Sequence, residues 1–295
     1  MVLRNVRRWI FALLLLSPAA VAPLHAQTPA EIVVSDALRE IRLADGSTLY
    51  GRIVAVEGER VTIQTEAGAT LQVERAQIRS AAPVRGQVRG GEVWLDDPHG
   101  TRLFFAPTGR SLAQGEGYFG VYELFFPFLT YGVTDAITVA AGTPIIPGVI
   151  GEFAYLGPKV RVVNTPGVQA SLGAFAGIFE GGTAGIAYGV GTWGNPDRAL
   201  TAGAGYAFYT DGDGGDFADR PLLMAGGELR TGPRTKLLTE NYFLLGESGG
   251  LISGGIRFFG ERLSADAGIG LFVGADDVEC CLPLVNFVYS FGGGR

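Results

Sequence analysis

Residues 130–142 read TYGVTDAITVAAG. An aromatic run, FFPFL at 125–129, leads into the polar turn Gly132-Val133-Thr134-Asp135, and an alternating run leaves it. Gly, Pro, Asn and Asp suit such turns because they accept unusual φ angles or hydrogen-bond their own backbone. The punctuation recurs at Asn164-Thr165-Pro166-Gly167, Asn195-Pro196-Asp197-Arg198, Gly232-Pro233-Arg234-Thr235 and Gly260-Glu261-Arg262. Between these turns fall more polar or Gly-rich connections: PTGRSLAQGEG, TPIIPGV, EGGT, DGDGGDFAD, ESGG and ADDVECC. Tight turns thus alternate with larger loops, the asymmetry expected of a barrel crossing a membrane.

The segments between turns are close to the 9–11 residues a tilted strand needs to cross hydrocarbon. They predict about twelve strands, near 101–106, 116–130, 136–145, 152–163, 168–179, 182–193, 199–210, 219–230, 236–246, 251–259, 263–274 and 282–291. Several alternate strictly. Val168, Ala170, Leu172, Ala174, Ala176 and Ile178 form an apolar set, as do Ala184, Ile186, Tyr188 and Val190. Ile252, Ile256 and Phe258, then Leu263 to Leu271, and Val285, Phe287, Tyr289 and Phe291 continue it. These sets are expected to face outward, with the small and polar residues between them facing a narrow lumen. Aromatic residues gather near strand ends: Tyr131, Trp193, Phe258, Phe259, Tyr289 and Phe291 by the turns, Tyr209, Phe179 and Phe272 by the loops. An aromatic girdle is what a membrane interface selects. The openings Glu152-Phe153-Ala154 and Glu240-Asn241-Tyr242 do not declare their facing.

Composition agrees. The 295-residue chain is 47% hydrophobic, holds 46 Gly and is only 18% charged, against about 25% charged for an ordinary soluble domain. Beyond the N-terminus no apolar run reaches the about 18 residues of a spanning helix. Residues 1–26 read as a secretory signal, with Arg4, Arg7 and Arg8 ahead of the short apolar core IFALLLL. Removing them takes three arginines and no carboxylate, so a chain of net charge −6 becomes more acidic. That argues against nucleic acid as a partner. The two cysteines, Cys280 and Cys281, are adjacent and cannot staple distant segments; they form a local disulfide or remain thiols.

Residues 35–85 differ in texture. Short alternating runs at 41–43, 49–56, 61–65 and 69–73 are separated by Asp45-Gly46, Glu57-Gly58-Glu59 and Ala67-Gly68. The pattern L-x-D-G-S-x-x-x-G-x-I followed by V-x-I-x-T resembles the small SH3-like or Sm-like barrels that bacteria attach to exported proteins. The resemblance implies a spacer or docking module. Residues 86–100 then read as a linker, although 81–99 also fits a strand pair.

From 101 to 295 the stretch TRLFFAPTGRSLAQGEGYFGVYELFFPFLTYGVTDAITVAAG, with YGVTD ahead of an alternating strand, resembles uncharacterised bacterial outer-membrane β-barrel proteins. The closing LVNFVYSF resembles the aromatic-ended last strand read by the outer-membrane assembly machinery, with GGGR following it. The resemblance implies an all-β fold: a transmembrane antiparallel barrel at 101–295, preceded by the small SH3-like barrel. It also implies the outer membrane of a Gram-negative cell, outer-membrane lipid as surroundings, and the N-terminal module in the periplasm with a partner there.

The residues offer little catalytic chemistry. The chain after residue 26 keeps one histidine, His99, in the expected linker, so a Ser–His hydrolase at the far side of the membrane lacks its base. No paired carboxylates stand out, and no enzyme and no cofactor are expected. Asp211, Asp213, Asp216 and Asp219 share one loop and are the candidate metal ligands, with Ca²⁺ the ion that close-spaced oxygens suit. Lys159, Arg161, Glu228, Arg230, Glu240, Arg257 and Asp266 are expected to face the lumen, because charge on the lipid face costs about 2–4 kcal/mol at the midplane. Such residues line a pore for small polar solutes, or pair to hold a barrel shut. The two function classes are therefore a passive channel or transporter, and a structural protein whose barrel anchors the N-terminal module.

Overall fold

The computed structural model describes residues 32–147, 150–211, 213–274 and 278–292, with the side chains of 278–280 excepted. The expected signal at 1–26 lies outside the described residues, as does the side chain of Cys280; Cys281 is disulfide-bonded. The chain divides into two compact units, Met1–Asp96 and Asp97–Arg295.

The first unit is a five-stranded antiparallel sheet of β1 (Ser35–Leu43), β2 (Thr48–Glu57), β3 (Arg60–Thr65), β4 (Thr70–Glu74) and β5 (Ile78–Pro83). The order is β4-β3-β2-β1-β5, so the last strand returns to pair with the first. The alternation seen in sequence puts Ile41, Ile53, Val61 and Ile63 on one face, all fully buried, with Ile78 and Ala81 completing the core. Asp45 accepts hydrogen bonds from the Ser47 backbone N–H and hydroxyl, at 2.8 and 2.6 Å, which fixes the β1–β2 turn. A short 3₁₀ turn, Arg75–Gln77, precedes β5. The expected linker is instead largely a hairpin, β6 (Gly86–Arg89) and β7 (Glu92–Leu95).

The second unit is a closed antiparallel barrel. Its wall is β8 (Gly117–Tyr122), β9 (Phe126–Gly132), β10 (Ile137–Gly142), β11 (Phe153–Thr165), β12 (Val168–Phe179), β13 (Gly182–Asn195) and β14 (Arg198–Asp211). It continues, after a three-residue loop strand β15 (Gly215–Phe217) paired to the end of β14, with β16 (Leu222–Gly232) and β17 (Thr235–Leu244). β18 (Gly250–Phe259), β19 (Leu263–Val273) and β20 (Val278–Phe291) complete it. Each strand pairs with the next, and β20 pairs with β8 from Asn286↔Tyr122 to Phe291↔Gly117. Twelve strands thus form the wall, and the seam places the start of β8 and the end of β20 at the rim that carries the tight turns.

The number twelve agrees with the sequence reading, but two of its strands do not. Residues 101–106 are no wall strand; they belong to a segment folded inside the barrel, with one isolated bridge, Arg102↔Pro107. Residues 116–130 are two strands, β8 and β9, joined by a turn in which Glu123 and Leu124 both have positive φ, +48° and +63°. No Gly or Pro marks that turn, so sequence gave no break. The connection PTGRSLAQGEG, expected as an outer loop, is likewise interior.

Facing follows the alternation in most strands. Leu172, Leu200, Ile269, Phe287 and Tyr289 are exposed on the outer face, while Ser171, Thr201, Ser264, Asp266 and Asn286 are buried within. β13 reverses the expectation: Ile186, Tyr188 and Val190 line the interior with Thr192, and the exposed Trp193 looks out. The interior takes bulk here, and the outward glycines are covered by neighbours. Leu172 Cδ2 would lie 3.3 Å from a Cβ on Gly189, and the Trp193 ring 2.7 Å from one on Gly191. Phe259, expected in the girdle, is buried beneath the Arg230 guanidinium, 5.2 Å from its ring centre. The two undeclared openings also resolve. Phe153 packs inward beside Tyr155, and Glu240 is buried. Asn241 bridges neighbouring strands, donating to the Ala225 carbonyl at 2.9 Å and accepting from the Ser253 N–H at 3.0 Å.

Ile269 stands mid-strand on the outer face, 54% exposed. I269K is expected to cost about 2–4 kcal/mol if that face meets hydrocarbon, measured by urea unfolding in lipid vesicles. An unchanged midpoint would show that the face is wet.

Candidate functional site

The interior is organised by residues 97–116, which enter from the turn rim, run inward to about Ala106 and return to that rim before β8. Loops normally avoid burial because their backbone groups then lack water. Here side chains from the wall supply the partners. Glu240 accepts both the Phe105 and Ala106 N–H groups at 3.0 Å. The Lys159 ammonium donates to the carbonyls of Thr101, Thr108 and Arg110 at 3.4, 3.1 and 2.6 Å. Arg257 donates to the carbonyls of His99, Arg102 and Leu103 at 3.0, 3.4 and 2.6 Å. Thr192 accepts the Gly109 N–H, Ser171 donates to the Gly109 carbonyl, and Asn286 donates to the Phe104 carbonyl.

Packing matches this. Leu103 and Phe104 are fully buried. Their seats are glycines of the wall: a Cβ at Gly226 would lie 2.5 Å from Leu103 Cδ1, and one at Gly268 3.0 Å from Phe104 Cζ. At Gly109 the segment approaches β12 so closely that a Cβ would collide with the Gln169 carbonyl.

Charge binds the segment further. Asp97 meets Lys236 at 3.1 Å and Arg257 at 3.2 Å. Asp266 meets Arg102 at 2.6 Å and Arg257 at 2.7 Å. Glu228 pairs with Lys236 at 2.9 Å and with Arg110. Of the sequence candidates, Lys159, Glu228, Glu240, Arg257 and Asp266 therefore meet on the inner segment, and none of these five stands free in an open pore. Arg161 is half-buried, two residues along β11 from Lys159. Arg230 lies apart, stapling the turn rim through the Gly232 and Pro233 carbonyls and Asp197.

Asp211, Asp213, Asp216 and Asp219 are exposed, and among the described residues no cluster of three carboxylates, His or Cys is placed to hold a metal. Asp211 instead accepts the Asp213 and Gly214 N–H groups and the Tyr209 hydroxyl, at 2.9, 3.0 and 3.0 Å, which shapes the loop.

Sequence reasoning missed the segment itself and its histidine. His99, set aside as a linker residue, is fully buried with its Nε2 2.9 Å from the Ser290 hydroxyl. Asp97 does not complete a triad, because it accepts the His99 backbone N–H at 2.9 Å and its charge is turned to Lys236 and Arg257; Nδ1 has no partner. Two signals were available: three successive apolar residues, Leu103-Phe104-Phe105, without alternation, and a 15-residue reading for one strand at 116–130 where 9–11 suffice.

Beyond the segment the interior is not filled. A cavity of about 400 Å³ remains. Its floor is Thr101, Arg102, Phe105, Ala106 and Pro107 of the inner segment. Its walls are aromatic and apolar, with Tyr122, Phe128, Tyr155, Phe175, Tyr188 and Tyr242 prominent. Tyr122 stacks on Phe128 at 3.9 Å between ring centres, and Arg102 lies 5.8 Å from the Tyr122 ring centre.

No protein-family model matches the chain, and no curated protein matches it. Among solved structures the chain is similar to the KdgM porin, with 10% identity over 60% of this chain and 98% of that one and a TM-score of 0.41. It is similar to the NanC porin, with 9% identity over 60% and 98% and a TM-score of 0.39. It is also similar to the outer-membrane protein OmpT of Vibrio cholerae, with 13% identity over 86% and 94% and a TM-score of 0.35.

Two outcomes follow from the inner network. R257M leaves Asp97 and Asp266 short of a partner in a buried site, and is expected to destabilise the barrel by about 3–5 kcal/mol, read as an earlier loss of heat-resistant gel mobility. His99 gives a pH dependence. Burial, then the charge of Arg102, pulls it from its ordinary 6.5 down to about 3. A base whose folded value lies below its unfolded one contributes stability above 6.5 that is lost as pH falls toward 3. Relative to the intrinsic exchange rate at each pH, protection of the amides in residues 97–116 is expected to fall from pH 7 to pH 4, and H99Q to remove that part of the change.

Proposed function

We propose that this chain is an outer-membrane barrel that passes small solutes passively, with residues 97–116 as the constriction of its path. One observation carries the reading: a closed wall with an apolar exterior surrounds an interior that keeps an unfilled cavity of about 400 Å³. A barrel that served only as a hydrophobic plug has no use for an internal void, since voids cost packing contacts. The wall satisfies its backbone internally, which is what hydrocarbon demands. Solute would enter the cavity from the loop rim and leave past the inner segment.

The turn rim would face the periplasm, and the first unit would sit there as an SH3-like or Sm-like module. Its support is the return of β5 to β1 and the 3₁₀ turn before the last strand. A periplasmic partner for that module and recognition of β20 by the assembly machinery belong to the same reading.

A second reading has its own observation. Among the described residues four buried or largely buried ion pairs tie the inner segment to the wall and two more join the wall residues that make them, so the barrel is also equipped to be a shut anchor for the first unit.

Planar-bilayer recording separates the two. The full chain is expected to give small, steady currents, and replacement of 98–112 by a Gly-Ser linker to raise conductance severalfold. Silence in both proteins, each shown to be inserted, would leave the anchor reading.

A further inference from the structure

We infer that the cavity is a binding site for a small molecule with an apolar or aromatic body and one carboxylate head. The inference deepens the transport reading and rests on it for the traffic of that ligand; binding itself is tested without current.

The walls argue for the body. Eight aromatic rings, with Ile186, Val190, Leu222 and Met224, surround the space, and its about 400 Å³ falls in the range of sites that enclose small ligands. A purely polar solute would exchange water for ring faces and gain few hydrogen bonds. Part of the polar lining is already spent: the Thr101 hydroxyl is 3.2 Å from that of Tyr118, and the Tyr242 hydroxyl is turned to Glu240 at 2.7 Å.

The floor argues for the head. The charged residues that line the cavity, among the described residues, are Arg102 and Lys159, both cations. Lys159 meets carbonyl oxygens and no carboxylate. Arg102 spends Nη1 on Asp266 and on the carbonyls of Leu103 and Phe104, at 2.6, 3.0 and 2.9 Å. Its Nε and Nη2 are buried and have no hydrogen-bond partner. Leaving a buried charged donor unpaired is costly, and an incoming anion relieves it. Glu240 does not supply that anion, because it is committed to the Phe105 and Ala106 amides and Tyr242. The guanidinium lies under the Tyr122 ring, so a carboxylate reaches Nε and Nη2 when that ring turns aside, and the aromatic body then fills the space the ring opened.

The test is calorimetry on the full chain in lipid nanodiscs, with empty nanodiscs as blank. The probes are 4-phenylbutyrate and its uncharged counterpart 4-phenylbutan-1-ol. The acid is expected to bind about tenfold or more tightly than the alcohol, as a charge-assisted contact implies. R102Q is expected to abolish that preference. Because R102Q also removes a partner of Asp266, a second variant keeps the floor intact: A140F fills the cavity from β10, whose Ala140 lines it, and is expected to weaken the acid about tenfold or more. Equal affinity for acid and alcohol, acid binding unchanged in A140F, or no binding of the acid would each overturn the inference. Current without binding would sink this inference and spare the transport reading; binding without current would do the reverse.

Discussion

The structure depends on one run of hydrogen bonds, those between β8 and β20. Every other wall strand pairs on both sides with the wall strands that precede and follow it in the chain, so hairpins alone can build eleven of the junctions. The twelfth joins residues some 170 positions apart, Gly117 to Phe291 at one end and Tyr122 to Asn286 at the other. Without it two edges would present unpaired backbone, open to pairing with other chains. With it, the outer face can be almost wholly apolar, since no main-chain group there needs water.

Closure creates the second constraint. A ring of twelve strands encloses more space than small inward side chains fill. The protein fills part of it with its own backbone. That choice explains the charges: an irregular segment brings carbonyls and amides indoors, and Lys159, Arg257, Glu240, Thr192, Ser171 and Asn286 are the wall's answers to them. The carboxylates Asp97, Glu228 and Asp266 then balance the cations. The interior is thus polar where the backbone is irregular and aromatic where it is absent.

Much of the barrel was legible because period-two alternation and turn chemistry are local signals. Leu172 facing out and Asp266 facing in could be read from a few neighbours each. The cost of burying charge in lipid likewise singled out Lys159, Glu228, Glu240 and Arg257 before any fold was known. What failed was non-local. The turn at Glu123-Leu124 carries no residue type that prefers its φ angles, so the sequence shows β8 and β9 as a single run, and 101–106 reads as the strand that completes the twelve. β13 was turned inside out because alternation gives two faces and not their sides; Leu172 on the adjacent strand and Trp193 on β13 itself, which cover its glycines, decide that. His99 looked idle because its partner Ser290 is 191 residues away.

The inner segment is continuous with β8, one of the two strands at the seam. Its anchors lie on both flanks of that seam: Thr138, Lys159, Ser171 and Thr192 on β10 to β13, and Glu228, Lys236, Glu240, Arg257, Asp266, Asn286 and Ser290 on β16 to β20. It therefore acts as an internal suture, tying together from the inside the two sides of the ring that meet at the seam. A ring opened at that junction would have to part the suture's two sets of anchors as well.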